Sequence, residues 1–252
     1  MYDMLTIRKL FTFASLSLLF LPLFEVQALE PVPSYQEALD QFKAQRKQKK
    51  KGGGFNKSDK ATMKKSGEDL AKSMPSPGLK LGEKAPDFTL KNAFGQKIKL
   101  SAALKNGPVI LSFYRGAWCP YCNLQLHALH KSIPHFKKYG AQLILVTPQT
   151  PDKSKGQIEK DKYTFEVLSD LESKVMKQYK LFYKIDPELV RVYKKLGLDI
   201  ESFNGKGRNV LPVPGTFVID KKSIIRAVHA DVDYKKRMEP QAIIDALKKT
   251  IE

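Results

Sequence analysis

The amino-acid sequence predicts an α/β fold in which a central β-sheet of mixed strand direction carries helices on both faces. From Gly82 onward, strand-like and helix-like segments alternate, as they do in folds built on crossover units. Residues 109–114 are apolar and aromatic enough to form a buried central strand. Near the end of the chain, residues 215–220 and 223–230 flank a polar turn. They therefore predict an antiparallel hairpin, which makes the sheet mixed.

The elements follow in order along the chain. Strands are expected at residues 87–90, 97–99, 108–115, 141–147, 165–168, 215–220 and 223–230. Helices are expected at residues 120–139, 154–161, 172–180, 187–196 and 239–251. This order corresponds to a thioredoxin-like fold with insertions.

The first 28 residues have the features of an export signal. Arg8 and Lys9 precede an apolar run over residues 10–24, and Val26-Gln27-Ala28 offers small residues suited to signal peptidase. A retained membrane anchor is the alternative, but this run is shorter than the ~20 residues of a spanning helix. We therefore expect cleavage after Ala28, a periplasmic or secreted protein, and no stable membrane span after cleavage.

The mature chain is long enough for one catalytic domain plus an extension. Residues 29–80 form a basic, helical and flexible extension, with possible helices at 34–47 and 58–74 on either side of a lysine run and three glycines. No chemistry is evident in this extension. Residues 81–252 form the thioredoxin-like domain.

Composition indicates an ordinary soluble globular protein, with 42% hydrophobic and 28% charged residues. The formal net charge is +18, and the excess of Lys and Arg is spread over both the extension and the domain. A nucleic-acid-binding protein concentrates such charge in a patch interleaved with aromatic residues. We therefore expect a lysine-rich solvated surface and no nucleic-acid partner, with weak attraction to anionic envelope surfaces as the lesser alternative.

Cys119 and Cys122 are the two cysteines of the chain. A bridge between them closes almost no loop, which indicates redox chemistry rather than a structural staple. They lie where the strand 108–115 turns into a helix, and helix N–H groups and the helix dipole lower a thiol pKa at that position. The dithiol can cycle through a local disulfide or resolve a sulfenic acid.

Zinc binding is the alternative for such a pair, but it requires two more ligands. The spacing of the four histidines does not supply them: His127, His130, His135 and His229. We therefore expect no metal and no cofactor.

The helix after the cysteine pair has one apolar face, formed by Cys122, Leu126, Leu129, Ile133 and Phe136. Cys122 is therefore predicted to lean toward the core. Cys119 is then predicted to lie at the exposed tip and to be the attacking thiol, with Cys122 as the resolving thiol. His127 and His130 lie off this face and are predicted to be solvated.

Val213 and Pro214 stand at the entrance of the strand 215–220, where a proline is tolerated because it need not donate to the sheet. In the thioredoxin fold such a proline is cis and packs against the cysteine pair. We predict a cis peptide bond here, and an ordinary trans proline is the alternative.

Several segments resemble the alkyl hydroperoxide reductase/thiol-specific antioxidant (AhpC/TSA) family, in its bacterial peroxiredoxin-like branch. They are Ala-Pro-Asp-Phe-Thr-Leu at residues 85–90, Phe-Tyr-Arg-Gly-Ala-Trp-Cys-Pro-Tyr-Cys at 113–122, Phe-Val-Ile-Asp at 217–220 and Asp-Val-Asp-Tyr at 231–234. The resemblance implies an antioxidant thiol peroxidase that acts on hydrogen peroxide or organic hydroperoxides, with Cys119 and Cys122 as catalytic residues and a thioredoxin-like reductant. The supporting site residues are Tyr114, Arg115, Trp118, Pro120, Val213 and Pro214.

The chain also departs from this family. Aligned without a gap, Cys122 falls on the peroxidatic position, Cys119 replaces a Thr and Arg115 replaces a Pro. Pro214 stands where the family places a peroxide-orienting arginine, for which Arg115 and Arg208 are the candidate substitutes. The order of attack by the two thiols is thus open, and so is the alternative of a thiol-disulfide oxidoreductase without a peroxide step. A non-enzymatic envelope binding protein is a third alternative. Export implies a membrane-linked thiol donor.

Overall fold

The computed structural model describes residues 29–48 and 56–251. The predicted export signal and the lysine and glycine run at residues 49–55 lie outside these ranges. Within the described ranges, no helix combines the length and the apolar character that crossing a bilayer requires.

Helices and strands alternate through most of the described chain. The strands are β1 Thr89–Asn92, β2 Lys97–Lys99, β3 Val109–Phe113, β4 Gln142–Thr147, β5 Glu166–Ser169, β6 Phe182–Lys184, β7 Val210–Pro212, β8 Gly215–Ile219 and β9 Ile225–Ala230. The helices are α1 Tyr35–Gln48, α2 Lys57–Ser73, α3 Leu100–Asn106, α4 Pro120–Lys131, α5 Ile133–Lys137, α6 Pro151–Asp161, α7 Lys174–Gln178, α8 Pro187–Lys195, α9 Glu201–Asn204 and α10 Pro240–Ile251. The sequence analysis did not predict α3, α9, β6 or β7.

Seven strands form one sheet in the order β2-β1-β5-β4-β3-β8-β9. β3, β4 and β5 run parallel, whereas β1 pairs antiparallel with β5, and β8 pairs antiparallel with β3. This arrangement confirms the predicted mixed sheet. β6 and β7 form a separate two-stranded sheet.

The central strand β3 separates two apolar clusters, because successive side chains of a strand point to opposite faces. Ile110 packs in the cluster that contains both cysteines and Leu126. Leu111 packs on the other side of the sheet. The five side chains of β3 are buried, which agrees with the apolar run in the sequence.

The predicted helix over residues 120–139 is two helices, α4 and α5. Ser132 stands between them, and its hydroxyl donates to the backbone oxygen of Ala128 at 2.8 Å. Pro134 causes the break, because it has no backbone N–H and its ring clashes with the carbonyl four residues earlier in a continuous helix.

The two helices of the extension pack on the domain. The Phe42 ring of α1 meets the Tyr121 ring edge-on at a centroid distance of 5.6 Å. At the start of α2, an Asp59 oxygen lies 2.7 Å from Nζ of Lys195 in α8. The extension therefore covers the region of the cysteine pair, a placement that the sequence did not indicate.

Candidate active site

The cysteine pair lies at the junction of β3 and α4. Cys119 is the N-cap residue of α4, and Pro120 is exposed at the first helical position, where its missing N–H costs no hydrogen bond. Cys122 lies within the first helical turn. Both are free thiols and almost fully buried, with 1% of Cys119 and none of Cys122 exposed. The prediction of an exposed Cys119 was therefore wrong, since the partly buried rings of Trp118 and Tyr121 pack against this cluster.

The loop before the pair requires glycine at one position. Gly116 has a φ of +140°, and a Cβ there would lie 2.6 Å from Nε1 of Trp118. A larger residue would therefore displace the indole that covers the cysteines.

A buried hydrogen-bond network fixes the same loop. The side-chain oxygen of Gln149 accepts from Ala117 N at 3.0 Å, and its Nε2 donates to the Tyr114 hydroxyl at 3.1 Å. That hydroxyl in turn donates to Gln157 Oε1 at 2.9 Å. Asn123 extends the network by donating to the Ala117 carbonyl at 2.8 Å. Tyr114, a predicted supporting residue, is therefore a member of the scaffold that holds the cysteine loop.

The guanidinium group of Arg237 contacts the sulfur of Cys122. Its Nη2 donates to Sγ of Cys122 at 3.4 Å, and its Nη1 donates to Gln125 Oε1 at 2.7 Å. Its Nε donates to the backbone oxygen of Tyr234 at 2.8 Å. The sequence analysis missed Arg237 and Gln125. The available signal was that Arg237 closely follows the 231–234 motif.

Arg115 is the second arginine beside the cysteines. Its Nη2 donates to the Tyr193 hydroxyl at 2.9 Å, and its guanidinium carbon lies 4.7 Å and 4.4 Å from the ring centroids of Trp118 and Tyr234. Of the two candidate substitutes for the family's arginine, Arg115 thus lies near the pair. Arg208 is not available as the substitute arginine, because its guanidinium group donates to three backbone carbonyls, those of Pro148, Asn204 and Asp170.

The two thiols differ in acidity. Burial by itself raises the pKa of Cys122. The hydrogen bond from the Cys119 thiol and the charges of Arg237 and Arg115 outweigh it, and they hold that pKa well below its usual value. Burial and the hydrogen bond to Cys122 raise the pKa of Cys119 well above its usual value. The contact with Arg237 and these charges therefore favour a thiolate on Cys122 over one on Cys119.

The Val213–Pro214 peptide bond is trans, since no cis bond occurs among the described residues. The predicted cis proline was therefore wrong. The chain runs extended from β7 into β8, and Val213 donates its N–H to the Leu181 carbonyl at 2.7 Å. Val213 packs in the cluster on the sheet face opposite the cysteines. Pro214 is buried next to Gly215, which pairs with Phe113 at the end of β3.

The two histidines that were predicted to be solvated, His127 and His130, lie in different environments. His127 is exposed, whereas His130 is half-buried against the rings of Tyr163 and Phe165, so the prediction for His130 was wrong. Within the described residues, no group of three or more His, Cys, Asp and Glu side chains is arranged to hold a metal ion.

One protein-family model and several known proteins match this chain. A model of the AhpC/TSA family matches residues 81–228. Chloroplastic peroxiredoxin Q of Populus jackii is 28% identical over 171 residues, which are 68% of this chain and 67% of that protein. The thioredoxin-like protein YneN of Bacillus subtilis is 29% identical over 174 residues, which are 67% of this chain and 82% of that protein.

Two solved structures are similar to the domain. Peroxidoxin BcpB from Mycobacterium tuberculosis has a TM-score of 0.53 and 21% identity, covering 68% of this chain and 97% of that one. A cysteine-to-serine mutant of PrxQ from Xylella fastidiosa has a TM-score of 0.55 and 15% identity, covering 70% of this chain and all of that one. At these identities the similarity shows a shared fold.

Proposed function

Because this chain belongs to the AhpC/TSA family and has a thioredoxin-like fold, we propose that it is a thiol-dependent peroxidase in which Cys122 attacks the peroxide. The observation that carries the proposal is the hydrogen bond from Arg237 to Sγ of Cys122. The attacking species in thiol chemistry is the thiolate, and a neighbouring guanidinium stabilises a thiolate. Cys119 then acts as the resolving thiol, as the gap-free alignment implies.

The proposed reaction has three steps. The Cys122 thiolate attacks the terminal oxygen of the hydroperoxide, the one that bears hydrogen, and forms an S–O bond as the O–O bond breaks. The departing alkoxide, or hydroxide from hydrogen peroxide, takes a proton from solvent to give an alcohol or water. Cys122 is left as a sulfenic acid. The Cys119 thiol attacks that sulfur, releases water and forms the Cys119–Cys122 disulfide. Two thiols of a thioredoxin-like donor then reduce this disulfide and are themselves oxidised to a disulfide.

Two arginines replace the one that the family places at Pro214. Arg237 and Arg115 bring two positive charges to a buried site, where a charge interacts more strongly than in water. Fixed guanidinium groups stabilise both the thiolate and the negative charge that develops on the leaving oxygen. Although Pro214 stands where the family has an arginine, the site therefore still has positive charge beside the thiolate and the leaving oxygen.

Single-cysteine variants test the assignment of the two thiols. We expect Cys119→Ser to react rapidly with hydrogen peroxide and to accumulate a sulfenic acid at Cys122, trapped and located by mass spectrometry. We expect Cys122→Ser to react no faster than free cysteine. If instead Cys122→Ser retained rapid oxidation and Cys119→Ser lost it, the order of attack would be reversed.

A thiol-disulfide oxidoreductase without a peroxide step is the second candidate function. The sequence Cys-Pro-Tyr-Cys and the similarity to a thioredoxin-like protein favour it. Both functions require exchange between these buried sulfurs and the thiols of another protein, so burial does not separate them. Stopped-flow oxidation separates the two functions, because a wild-type rate constant near that of free cysteine rejects the peroxidase.

We also propose that the protein is exported after cleavage behind Ala28 and that a membrane-linked thiol donor reduces it. The apolar run and the small residues near Ala28 support export, and export removes the protein from cytosolic thioredoxin. N-terminal sequencing of the protein from an envelope or secreted fraction tests this. A chain that begins at Met1 contradicts it.

A further inference from the structure

A groove of about 940 Å³ lies between α2 and the domain. Its walls come from α2, from β6 and the start of α8, and from residues 232–235. The volume is within the ~300–1,000 Å³ range of small-molecule sites and far larger than hydrogen peroxide needs. The groove therefore has room for the organic part of a larger hydroperoxide.

The groove walls provide apolar and aromatic surface. Its apolar and aromatic lining residues include Leu70 of α2, Leu189 and Tyr193 of α8, and also Tyr183 and Val232. Such surface stabilises a bound apolar group by removing it from water, at roughly 25 cal/mol per Å² of buried apolar area.

Arg115 lines the same groove, and in the chain it directly precedes the loop that leads to Cys119. Its side chain is 3% exposed, its Nε has no hydrogen-bond partner among the described residues, and its charge acts on both sulfurs. Burial raises the pKa of Tyr183 and of Tyr234 to about 12, so these neighbours stay neutral and do not compensate the guanidinium charge. A buried donor without a partner is costly, and a ligand oxygen would satisfy it.

We propose that this groove binds the organic group of a bulky apolar hydroperoxide and presents its peroxide group to Arg115 beside Cys122. The inference rests on the proposed peroxidase function. The family match begins at residue 81, whereas α2 ends at Ser73, so one wall of the groove lies outside the matched segment. The extension thus acts as a specificity element that this chain adds to the common domain.

A substitution at Gly67 tests the groove. Gly67 is an exposed residue of α2 at the groove wall, and a Cβ added there has no atom within 4 Å, so a larger side chain fits without a clash. We expect Gly67→Phe to lower the ratio of the oxidation rate constants for cumene hydroperoxide and hydrogen peroxide by about tenfold, the scale of lost pocket contacts. Ala61→Phe, at an exposed position of α2, is the matched control and should keep the wild-type ratio.

Each other outcome counts against the inference. An unchanged ratio in Gly67→Phe, with rapid oxidation of the wild type by both peroxides, overturns the inference and leaves the peroxidase standing. Slow oxidation of the wild type by both peroxides overturns both proposals. If Gly67→Phe keeps the ratio but slows reduction of the disulfide by a thioredoxin-like protein, the groove receives the reductant rather than the substrate.

Discussion

The domain and its N-terminal extension both contact the cysteine turn, but they do so at different distances from the sulfur atoms. The domain supplies Arg237, whose guanidinium bonds Sγ of Cys122. The extension contacts Tyr121 through Phe42, and the Tyr35 hydroxyl donates to the Lys235 carbonyl at 2.6 Å. The domain therefore supplies the positive charge in contact with the Cys122 sulfur, whereas the extension contacts residues around the pair.

The largest effect on the oxidation rate is expected when the contact between Arg237 of the domain and Cys122 is removed. Arg237→Met removes the guanidinium group that hydrogen-bonds Sγ of Cys122, so the pKa of Cys122 should rise. Because less thiolate is then present, its oxidation rate constant at neutral pH should fall about 100-fold. Stopped-flow kinetics with hydrogen peroxide measure this. Arg237→Lys keeps the charge and should lose less. A rate for Arg237→Met within a few-fold of the wild type contradicts the role given to this arginine.

The pH dependence of oxidation sharpens the same point. An ordinary thiol, with a pKa of ~8.5, loses most of its thiolate as the pH falls to neutrality. The pKa of Cys122 is lowered, so as the pH falls the wild-type rate should begin to decline at a lower pH than the rate of an ordinary thiol does, as the thiolate is protonated. The pH–rate profile measures this, and Arg237→Met should move its midpoint upward. A wild-type midpoint at or above ~8.5 contradicts the thiolate assignment.

A smaller effect is expected when the contact between Phe42 of the extension and Tyr121 is removed. Phe42→Ala removes an edge-on aromatic contact with Tyr121 and should lower the free energy of unfolding by about 1 kcal/mol. Denaturant unfolding measures the loss. Oxidation of Cys122 by hydrogen peroxide should remain within about twofold of the wild type, since the ring of Phe42 contacts Tyr121, whereas Arg237 is the residue that hydrogen-bonds the sulfur. A fall as large as that of Arg237→Met would remove the distinction between the two regions.

The sequence alone determined the fold class of this protein and the position of its cysteine pair in the chain. The buried strand at residues 109–114, the terminal hairpin and the cysteine pair at a strand-to-helix turn all have local signals, because side-chain period and turn residues act over a few positions. β6 and β7 escaped prediction because these short strands pair across α8 and α9, whereas the equally short β2 pairs with its neighbour β1 across a local turn. The predicted cis bond at Pro214 rested on analogy with the fold, and the local path from β7 to β8 overrode it.

Only the tertiary structure decided which thiol carries the charge. The face of α4 indicated that Cys122 points inward, but the burial of Cys119 depends on the covering rings. The depressed pKa of Cys122 depends on Arg237, which lies 115 positions further along the chain. Local patterns carry no information about such a contact, whereas charge and burial act through distance in space. For that reason the sequence located the cysteine pair, and the fold brought Arg237 to Cys122, the thiol to which we assign the thiolate.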